Sequence, residues 1–160
     1  MTGNGYGILL ALLGAALSLL LPGWGSAKSV GFVGEKASGI ITEDPGKFAQ
    51  TLVLQALPGT QGIYGFLIAF MILLKTGVLG GGLIAITNQQ GMAFLIGALP
   101  VAVVGWFSAW YQGRVSAAAL GIVAKNPGEV AKGITFAAMV ETFAILAFVG
   151  SLLIVLGIRV

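Results

Sequence analysis

Residues 133–158 read GITFAAMVETFAILAFVGSLLIVLGI, an apolar run that contains one charged residue, Glu141. A membrane-spanning helix needs about 20 apolar residues, so this run is long enough to cross a bilayer. Three further stretches carry no charge at all: residues 1–27, 48–74 and 76–113. We therefore predict an all-α membrane protein with four transmembrane helices, at about residues 5–40, 46–75, 86–124 and 128–158. The first and third helices exceed the bilayer thickness, so their second halves should project into water.

The composition points to lipid as the natural solvent of this chain. Of its 160 residues, 58% are hydrophobic and only 8% are charged, whereas a soluble domain carries about 25% charged residues. The chain contains no cysteine and no histidine, which excludes disulfides and removes the commonest general base and metal ligand. Its eight basic residues are scattered, so no patch suited to nucleic acid exists. No Lys or Arg precedes Lys28, so the first apolar run lacks the basic region of a signal peptide and should be retained.

Local signals predict where the helices begin and end. Asp44-Pro45 and Asn126-Pro127 each read as an N-cap followed by proline at the first helical position, so each cap side chain should accept a backbone N–H. Gly77 and the glycines at 80–82 predict a loop between the second and third helices. Basic residues flank the two proline-containing connections: Lys28, Lys36, Lys47, Arg114, Lys125 and Lys132. The positive-inside rule then places both connections in the cytoplasm and both termini outside.

The chain contains an internal duplication with an offset of 82 residues, the distance from Pro45 to Pro127. This offset aligns Ser26-Ala27 with Ser108-Ala109, Gly31 with Gly113, Gly39-Ile40 with Gly121-Ile122, Pro45-Gly46 with Pro127-Gly128, Ala49 with Ala131, and Thr60 with Thr142. We predict two tandem helical hairpins, residues 1–82 and 83–160, within one membrane domain. Glu141 aligns with Gly59, so only the second hairpin carries a carboxylate at this position.

Small residues recur at every fourth position of the third helix, and again in the first helix. The third helix has Gly105, Ala109, Gly113, Ala117 and Gly121, and the first has Gly23, Ala27, Gly31 and Gly39 with Glu35 between the last two. Small residues at this spacing let membrane helices approach closely. The stripe is typical of packing within one chain, but it also suits the crowded inner face of a ring of many copies.

Glu141 is the most informative residue, because a carboxylate in mid-membrane costs ~2.5–3.5 kcal/mol on insertion scales. It either remains protonated in a single interhelical hydrogen bond or forms an ion or proton site. The second helix offers a polar face, since Thr60, Gln61 and Tyr64 are three or four residues apart. Pro58 removes a backbone donor nearby and can free carbonyl oxygens as ligands, and Gln112 adds an amide from the third helix.

These groups form a set of hard oxygen ligands around one carboxylate. Hard cations prefer such ligands, and a single carboxylate neutralises a single Na+. A proton carrier requires only the carboxyl group and an apolar pocket, so the additional oxygens favour Na+ over H+.

The residues 57–65, LPGTQGIYG, together with residues 136–142, FAAMVET, resemble the K subunit of bacterial V-type Na+-transporting ATPases, the four-helix proteolipid of the rotor ring. The resemblance covers nearly the whole chain. It implies that Glu141 carries the ion, that Thr60, Gln61 and Gln112 bind Na+ through side-chain oxygens, and that Leu57 binds it through the backbone carbonyl. Tyr64 would hydrogen-bond to Glu141.

The same resemblance implies the setting of the protein. The chain would form a homo-oligomeric ring in lipid, in the V0 domain of a bacterial cell membrane, with the first and third helices on the inside of the ring. Its partners would be an a/I-type stator subunit and a d/C-type central-stalk subunit. Na+ would be the transported ion. The chain has no Gly-x-x-x-x-Gly-Lys-Ser/Thr loop, so we expect no nucleotide to bind and no catalysis by this chain alone.

Three alternatives remain open on the sequence. The same rotor protein could translocate H+ instead of Na+. The chain could be a small secondary transporter with one membrane glutamate, although transporters of the multidrug type carry it in the first helix and lack the tandem repeat. It could also be a purely structural four-span protein, which leaves Glu141 without a role.

Overall fold

The computed structural model describes residues 5–160; residues 1–4, the start of the predicted first hairpin, lie outside the described part. The helices are α1 (Gly7–Glu43), α2 (Phe48–Ala56), α3 (Thr60–Lys75), α4 (Asn88–Lys125) and α5 (Val130–Gly157). Short turns of 3-10 helix precede α2, α3 and α5, at Pro45–Lys47, Leu57–Gly59 and Pro127–Glu129. The described residues contain no β-strand.

Four helical stretches are long and apolar enough to cross a membrane, namely Gly7–Glu43, Pro45–Lys75, Asn88–Lys125 and Pro127–Gly157. We call them spans 1 to 4. The predicted all-α architecture with four spans is thereby confirmed, and each predicted helix boundary lies within a few residues of the observed one. Large apolar side chains cover the outside of α5, where Phe136, Met139, Phe143 and Leu146 are all more than 60% exposed. Such a surface suits lipid rather than water.

The two proline-containing connections lie at the same end of the bundle, since Lys47 Nζ donates to Ala124 O at 2.8 Å. The other end is held together by Lys75 Nζ, which donates to Leu156 O at 2.9 Å. Gln90 Nε2 likewise donates to Arg159 O at 2.8 Å. The two hairpins therefore run side by side in the same direction, as a tandem repeat requires.

The two predicted N-caps have different outcomes. Asp44 Oδ1 accepts from Gly46 N at 3.0 Å, as expected. The prediction for Asn126 is wrong, because its side chain makes no capping hydrogen bond. The backbone turn is the same in both connections: Asn126 O accepts from Glu129 N at 2.9 Å, and Asp44 O accepts from Lys47 N at 3.2 Å.

A further N-cap, not predicted from the sequence, lies at the start of α4. Thr87 Oγ1 accepts from Gln90 N at 3.2 Å, and Gln90 Oε1 accepts from Thr87 N at 2.8 Å. This is a capping box, in which two free backbone donors at the start of α4 are satisfied reciprocally. The Thr-x-x-Gln spacing that forms it is readable in the sequence.

Glycines bring α1 and α4 into close contact along most of their length. A Cβ atom added at Gly14 would lie 2.9 Å from Leu95 Cα, and one added at Gly25 would lie 2.8 Å from Trp106 O. Neither neighbour can move away, since both are backbone atoms. The close approach of these helices is thus built on residues without side chains.

The two halves of the small-residue stripe differ in their surroundings. In α4, Gly105, Ala109, Gly113 and Ala117 are buried within the chain. A Cβ atom at Gly113 would lie only 2.6 Å from Ser29 Cβ in α1. In α1, by contrast, Ala27, Gly31 and Gly39 are exposed, and a Cβ atom at Gly31 would meet nothing within 4 Å. The α4 stripe therefore serves packing within the chain from Gly105 to Ala117, whereas Gly121 is exposed and an added Cβ atom there would meet nothing within 4 Å.

The interior has two apolar clusters with a polar layer between them. One cluster contains Ile68, Ile72, Phe94 and Val101, towards the loop between spans 2 and 3. The other contains Val33, Leu54, Leu120 and Val123, towards the proline-containing connections. The residues that lie between these clusters along each span include Gln61 and Gln112, which are fully buried.

Candidate cation-binding site

The interruption predicted at Pro58 is present as the 3-10 turn Leu57–Gly59, which divides span 2 into α2 and α3. The proline lacks a backbone donor, so the regular α-helical hydrogen-bond ladder cannot continue through it. Leu57 O accepts from the backbone N–H of Thr60, which closes the 3-10 turn, and also from Thr60 Oγ1 at 3.1 Å. The break thus gathers one backbone carbonyl and one hydroxyl at the start of α3, in the middle of the bundle.

Two buried amides connect span 2 with span 3. Gln61 Nε2 donates to Gln112 Oε1 at 2.6 Å, and both side chains are 0% exposed. Gln61 Oε1 lies 3.4 Å from Thr60 Oγ1. The amide of Gln61 therefore joins the hydroxyl and carbonyl of the helix break to the amide of α4.

Glu141 projects from α5 towards these groups and is half-buried. Tyr64 donates its hydroxyl proton to Glu141 Oε1 at 2.7 Å, and Gln112 Nε2 donates to Glu141 Oε2 at 3.2 Å. The Tyr64 ring is held by stacking on Phe148, with 5.3 Å between the ring centroids. Each carboxylate oxygen has one neutral hydrogen-bond donor and keeps a further lone pair for another partner.

No basic side chain within residues 5–160 neutralises Glu141. The two ion pairs of the described chain join Asp44 with Lys47 and Glu129 with Lys132, both near the proline-containing connections. A half-buried carboxylate without a basic partner is costly in its ionised form. The arrangement leaves one negative charge to be compensated by one cation or one proton.

The structure brings all six predicted site residues into one hydrogen-bonded network. Leu57, Thr60, Gln61 and Tyr64 come from span 2, Gln112 from span 3 and Glu141 from span 4. α1 contributes no member of the predicted set, although Ser26 Oγ accepts from Gly62 N at 3.0 Å beside it.

One residue at the site was not selected from the sequence. Ser108 Oγ donates to Val140 O at 3.1 Å and accepts from Gln61 Nε2 at 3.3 Å. A signal was available, because Ser26-Ala27 and Ser108-Ala109 are paired by the internal duplication. Both serines are buried, at 6% exposure, and both bind groups of α3 next to the helix break.

Comparison with known proteins gives a consistent result. The sequence model of the family of the ATP synthase C subunits matches twice, at residues 13–72 and 95–154. The two matches begin 82 residues apart, the offset of the internal duplication. The chain is 50% identical over 157 residues to the V-type sodium ATPase subunit K of Enterococcus hirae, covering 98% of this chain and 96% of that protein.

A more distant similarity extends to an archaeal protein. The chain is 33% identical over 151 residues to the A-type ATP synthase subunit K of Methanocaldococcus jannaschii, covering 94% of this chain and 64% of that protein.

Proposed function

Because the chain belongs to the family of the ATP synthase C subunits, we propose that it is the ion-carrying rotor-ring protein of a V-type ATPase and that Glu141 carries Na+. The observation that carries this proposal is the network around Glu141. The carboxylate of span 4, which has no basic partner among residues 5–160, is surrounded by oxygen atoms from spans 2 and 3. One Na+ would neutralise it, and the named relative in Enterococcus hirae is a sodium ATPase subunit.

The ligands would be Glu141, the side-chain oxygens of Thr60, Gln61 and Gln112, and Leu57 O. The distance of 3.4 Å between Thr60 Oγ1 and Gln61 Oε1 supports this set. Ca²⁺, which is close to Na+ in size, binds oxygen at roughly 2.4 Å, and two ligands at right angles are then about 3.4 Å apart. Gln112 Oε1 accepts from Gln61 and keeps a second lone pair for the ion.

Tyr64 would keep the loaded site closed. Its hydroxyl bonds Glu141 Oε1 at 2.7 Å and thereby holds the carboxylate against spans 2 and 3 instead of leaving it to turn towards lipid. Release of the ion would require this bond and the Gln112 bond to open, so that Glu141 can reach an exit pathway. We propose that a stator subunit of the a/I type provides that pathway as the ring rotates.

ATP hydrolysis would take place on other subunits, and a central-stalk subunit of the d/C type would transmit the resulting rotation to the ring. The duplicated chain supplies one carboxylate for each four helices, because Glu141 aligns with Gly59. A ring of given circumference then carries fewer ions in each turn. Moving one charge across 100 mV costs ~2.3 kcal/mol, so a lower ion count leaves more free energy from each ATP for every ion.

The topology follows from the distribution of charge. The two proline-containing connections lie at one end of the bundle and carry Lys47, Lys125 and Lys132. We propose that this end faces the cytoplasm of a bacterial cell and that both termini lie outside.

The proposal is tested with purified protein in mild detergent. We expect a closed ring, and we expect a hydrophobic carbodiimide to label Glu141 in its protonated form. Na+ should protect Glu141 by occupying the site, and 22Na+ should bind once per chain. A dimer would contradict the rotor and favour a small transporter. If the ring forms but Na+ does not protect Glu141 from labelling at neutral pH, the transported ion is H+ and not Na+.

A further inference from the structure

The Ser108 hydroxyl donates in one direction and accepts from another, and its partner in α5 determines this polarity. Its hydroxyl lies 3.1 Å from Val140 O. A backbone carbonyl can only accept hydrogen bonds, so the single hydroxyl proton of Ser108 must point to it. The lone pairs of Ser108 Oγ are then directed elsewhere, and the amide of Gln61 lies 3.3 Å away.

This polarity determines how the Gln61 amide is oriented. A carbonyl oxygen placed against the lone pairs of Ser108 would be an unsatisfied, repelled acceptor in a fully buried site. The amino group of Gln61 must therefore face Ser108. Its second hydrogen bonds Gln112 Oε1 at 2.6 Å. Both donors are then used, and Gln61 Oε1 is left on the side of Thr60 Oγ1, where the proposed ion would bind.

A second carbonyl of α5 orients the other amide in the same way. Gln112 Nε2 lies 3.2 Å from Ala137 O and 3.2 Å from Glu141 Oε2, and both of these atoms can only accept from it when the carboxylate is ionised. The amino group of Gln112 is therefore directed to α5, and its oxygen to Gln61. The amino group of Gln112 has two acceptors in α5, Ala137 O and Glu141 Oε2. The amino group of Gln61 has Gln112 Oε1 and, as its only other acceptor, Ser108 Oγ.

We propose that Ser108 is a positioning residue for the transported ion: it holds the Gln61 amide in the one orientation that presents its oxygen to Na+. The inference rests on the proposed function, since it assumes that Gln61 Oε1 is a ligand. Ser108 itself does not touch the ion. Together with Gln112 Oε1, it disfavours the Gln61 amide with Oε1 and Nε2 exchanged, in which the amino group would point its hydrogens at the cation.

Replacement of Ser108 by alanine should separate Na+ binding from proton binding. Without the acceptor, the Gln61 amino group keeps only Gln112 Oε1 as a partner and the amide is held less firmly. The Na+ concentration that half-protects Glu141 from carbodiimide should then rise by about 10-fold, the lower end of the range for partners that orient metal ligands. Tyr64 and Gln112 still bond Glu141, so the pH profile of labelling without Na+ should stay unchanged. A general loosening of the fold would alter both.

The matched control is Ser151→Ala. Ser151 is a buried serine of α5 that accepts from Val101 N in α4 at 3.0 Å, far along the helix from Glu141. The control removes an equivalent bond between the same two helices and should leave half-protection at the wild-type Na+ concentration. Ser108→Cys keeps the side-chain volume with a weaker hydrogen-bonding group. It should shift the half-protecting Na+ concentration by an intermediate amount, and it serves as the test if the alanine variant does not assemble.

A double-mutant cycle with Gln61→Leu tests whether Ser108 acts through Gln61. In the Gln61→Leu background, Ser108→Ala should cause no further loss of Na+ binding. An equal loss in both backgrounds would overturn the proposal, and so would wild-type half-protection in Ser108→Ala or a shifted pH profile. Wild-type rings without any Na+ protection would overturn both this inference and Na+ as the ion. If Na+ protects Glu141 in wild-type rings and protects it at the same concentration in Ser108→Ala, this inference alone is overturned.

Discussion

The two hairpins each match the same family model, yet spans 2 and 4, which correspond in the repeat, differ at the level of the site. Span 2 is interrupted by the 3-10 turn Leu57–Gly59, whereas span 4 continues as α5 from Val130 to Gly157 without a break at the corresponding position. The broken helix contributes a carbonyl, a hydroxyl and an amide, and the continuous helix contributes the carboxylate. The comparison teaches that neither hairpin contains the site alone: the first supplies Leu57, Thr60, Gln61 and Tyr64, and the second supplies the Gln112 amide and the carboxylate.

Spans 1 and 3, which correspond in the repeat, also differ at the level of the site. Gln112 in α4 aligns with Val30 in α1, so at this pair of aligned positions only the second copy carries an amide. Gly113 packs on Ser29 within the chain, while its counterpart Gly31 faces outwards. α4 therefore serves both the site and the packing of the protomer, and α1 keeps an uncovered face of small residues.

The largest expected effect comes from removing the charge of the second hairpin. Glu141→Gln preserves the shape of the side chain but cannot neutralise a cation, so Na+ transport by the reconstituted enzyme should stop entirely. Adding Gly59→Glu moves the carboxylate to the first hairpin, where a Cβ atom would be 3.7 Å from Val30 Cγ2 instead of beside an amide. We expect no recovery of 22Na+ binding in the double variant. Recovery would show that the two copies are interchangeable.

A matched pair of glycines tests the difference between spans 1 and 3. Gly113→Ala places a methyl group 2.6 Å from Ser29 Cβ, and overpacking of this kind costs about 1–3 kcal/mol. Gly31→Ala meets nothing within the chain and should leave the protomer unaffected. Thermal unfolding of the purified proteins in mild detergent measures both. Equal losses would mean that the outer face of α1 is covered in the assembled protein.

Gln112→Leu makes the second hairpin resemble the first, because the aligned residue is Val30. The variant loses an oxygen ligand and the donor to Glu141 Oε2, so Na+ affinity should fall by about 10- to 100-fold while the ring still assembles. Labelling of Glu141 by carbodiimide should persist and remain dependent on pH. The measurement is 22Na+ binding to purified rings, and wild-type affinity in both Gln112→Leu and Thr60→Ala would leave the proton hypothesis standing.

The smallest effect concerns the two ends of the bundle. Lys75 Nζ donates to three carbonyls at the end of α5, those of Val155, Leu156 and Ile158. Lys47 at the opposite end donates to a single carbonyl, Ala124 O. Lys75→Met should lower the stability of the folded chain by about 1 kcal/mol and Lys47→Met by less, as measured by thermal unfolding. A larger loss for Lys47→Met would reverse this ranking of the two ends.

Much of the site was predictable because its residue types are conspicuous in an apolar sequence. Glu141 is the one charge in a long apolar run, and Gln61 and Gln112 are amides within stretches that carry no charge. Pro58 marks the helix break in a way that depends only on proline itself. Ser108 was missed because a serine is not conspicuous in a membrane helix, and its only signal was the pairing with Ser26 by the internal duplication. The capping box of Thr87 and Gln90 was overlooked although its spacing is local. The cap predicted at Asn126 is wrong although its local sequence matches that of the Asp44 cap.

The sequence by itself determined the four spans, the tandem repeat and the set of oxygen-bearing side chains, because hydropathy, proline and glycine act over a few neighbouring residues. Only the tertiary structure decided how the two amides are oriented. It also decided that the stripe of α4 is buried from Gly105 to Ala117, while Ala27, Gly31 and Gly39 of the α1 stripe are exposed. Those properties depend on partners far apart in the chain, such as Gln61 with Ser108 and Gln112, which are 47 and 51 residues away. No local pattern encodes which face of a helix meets which neighbour; that is determined by the packing of the spans against one another.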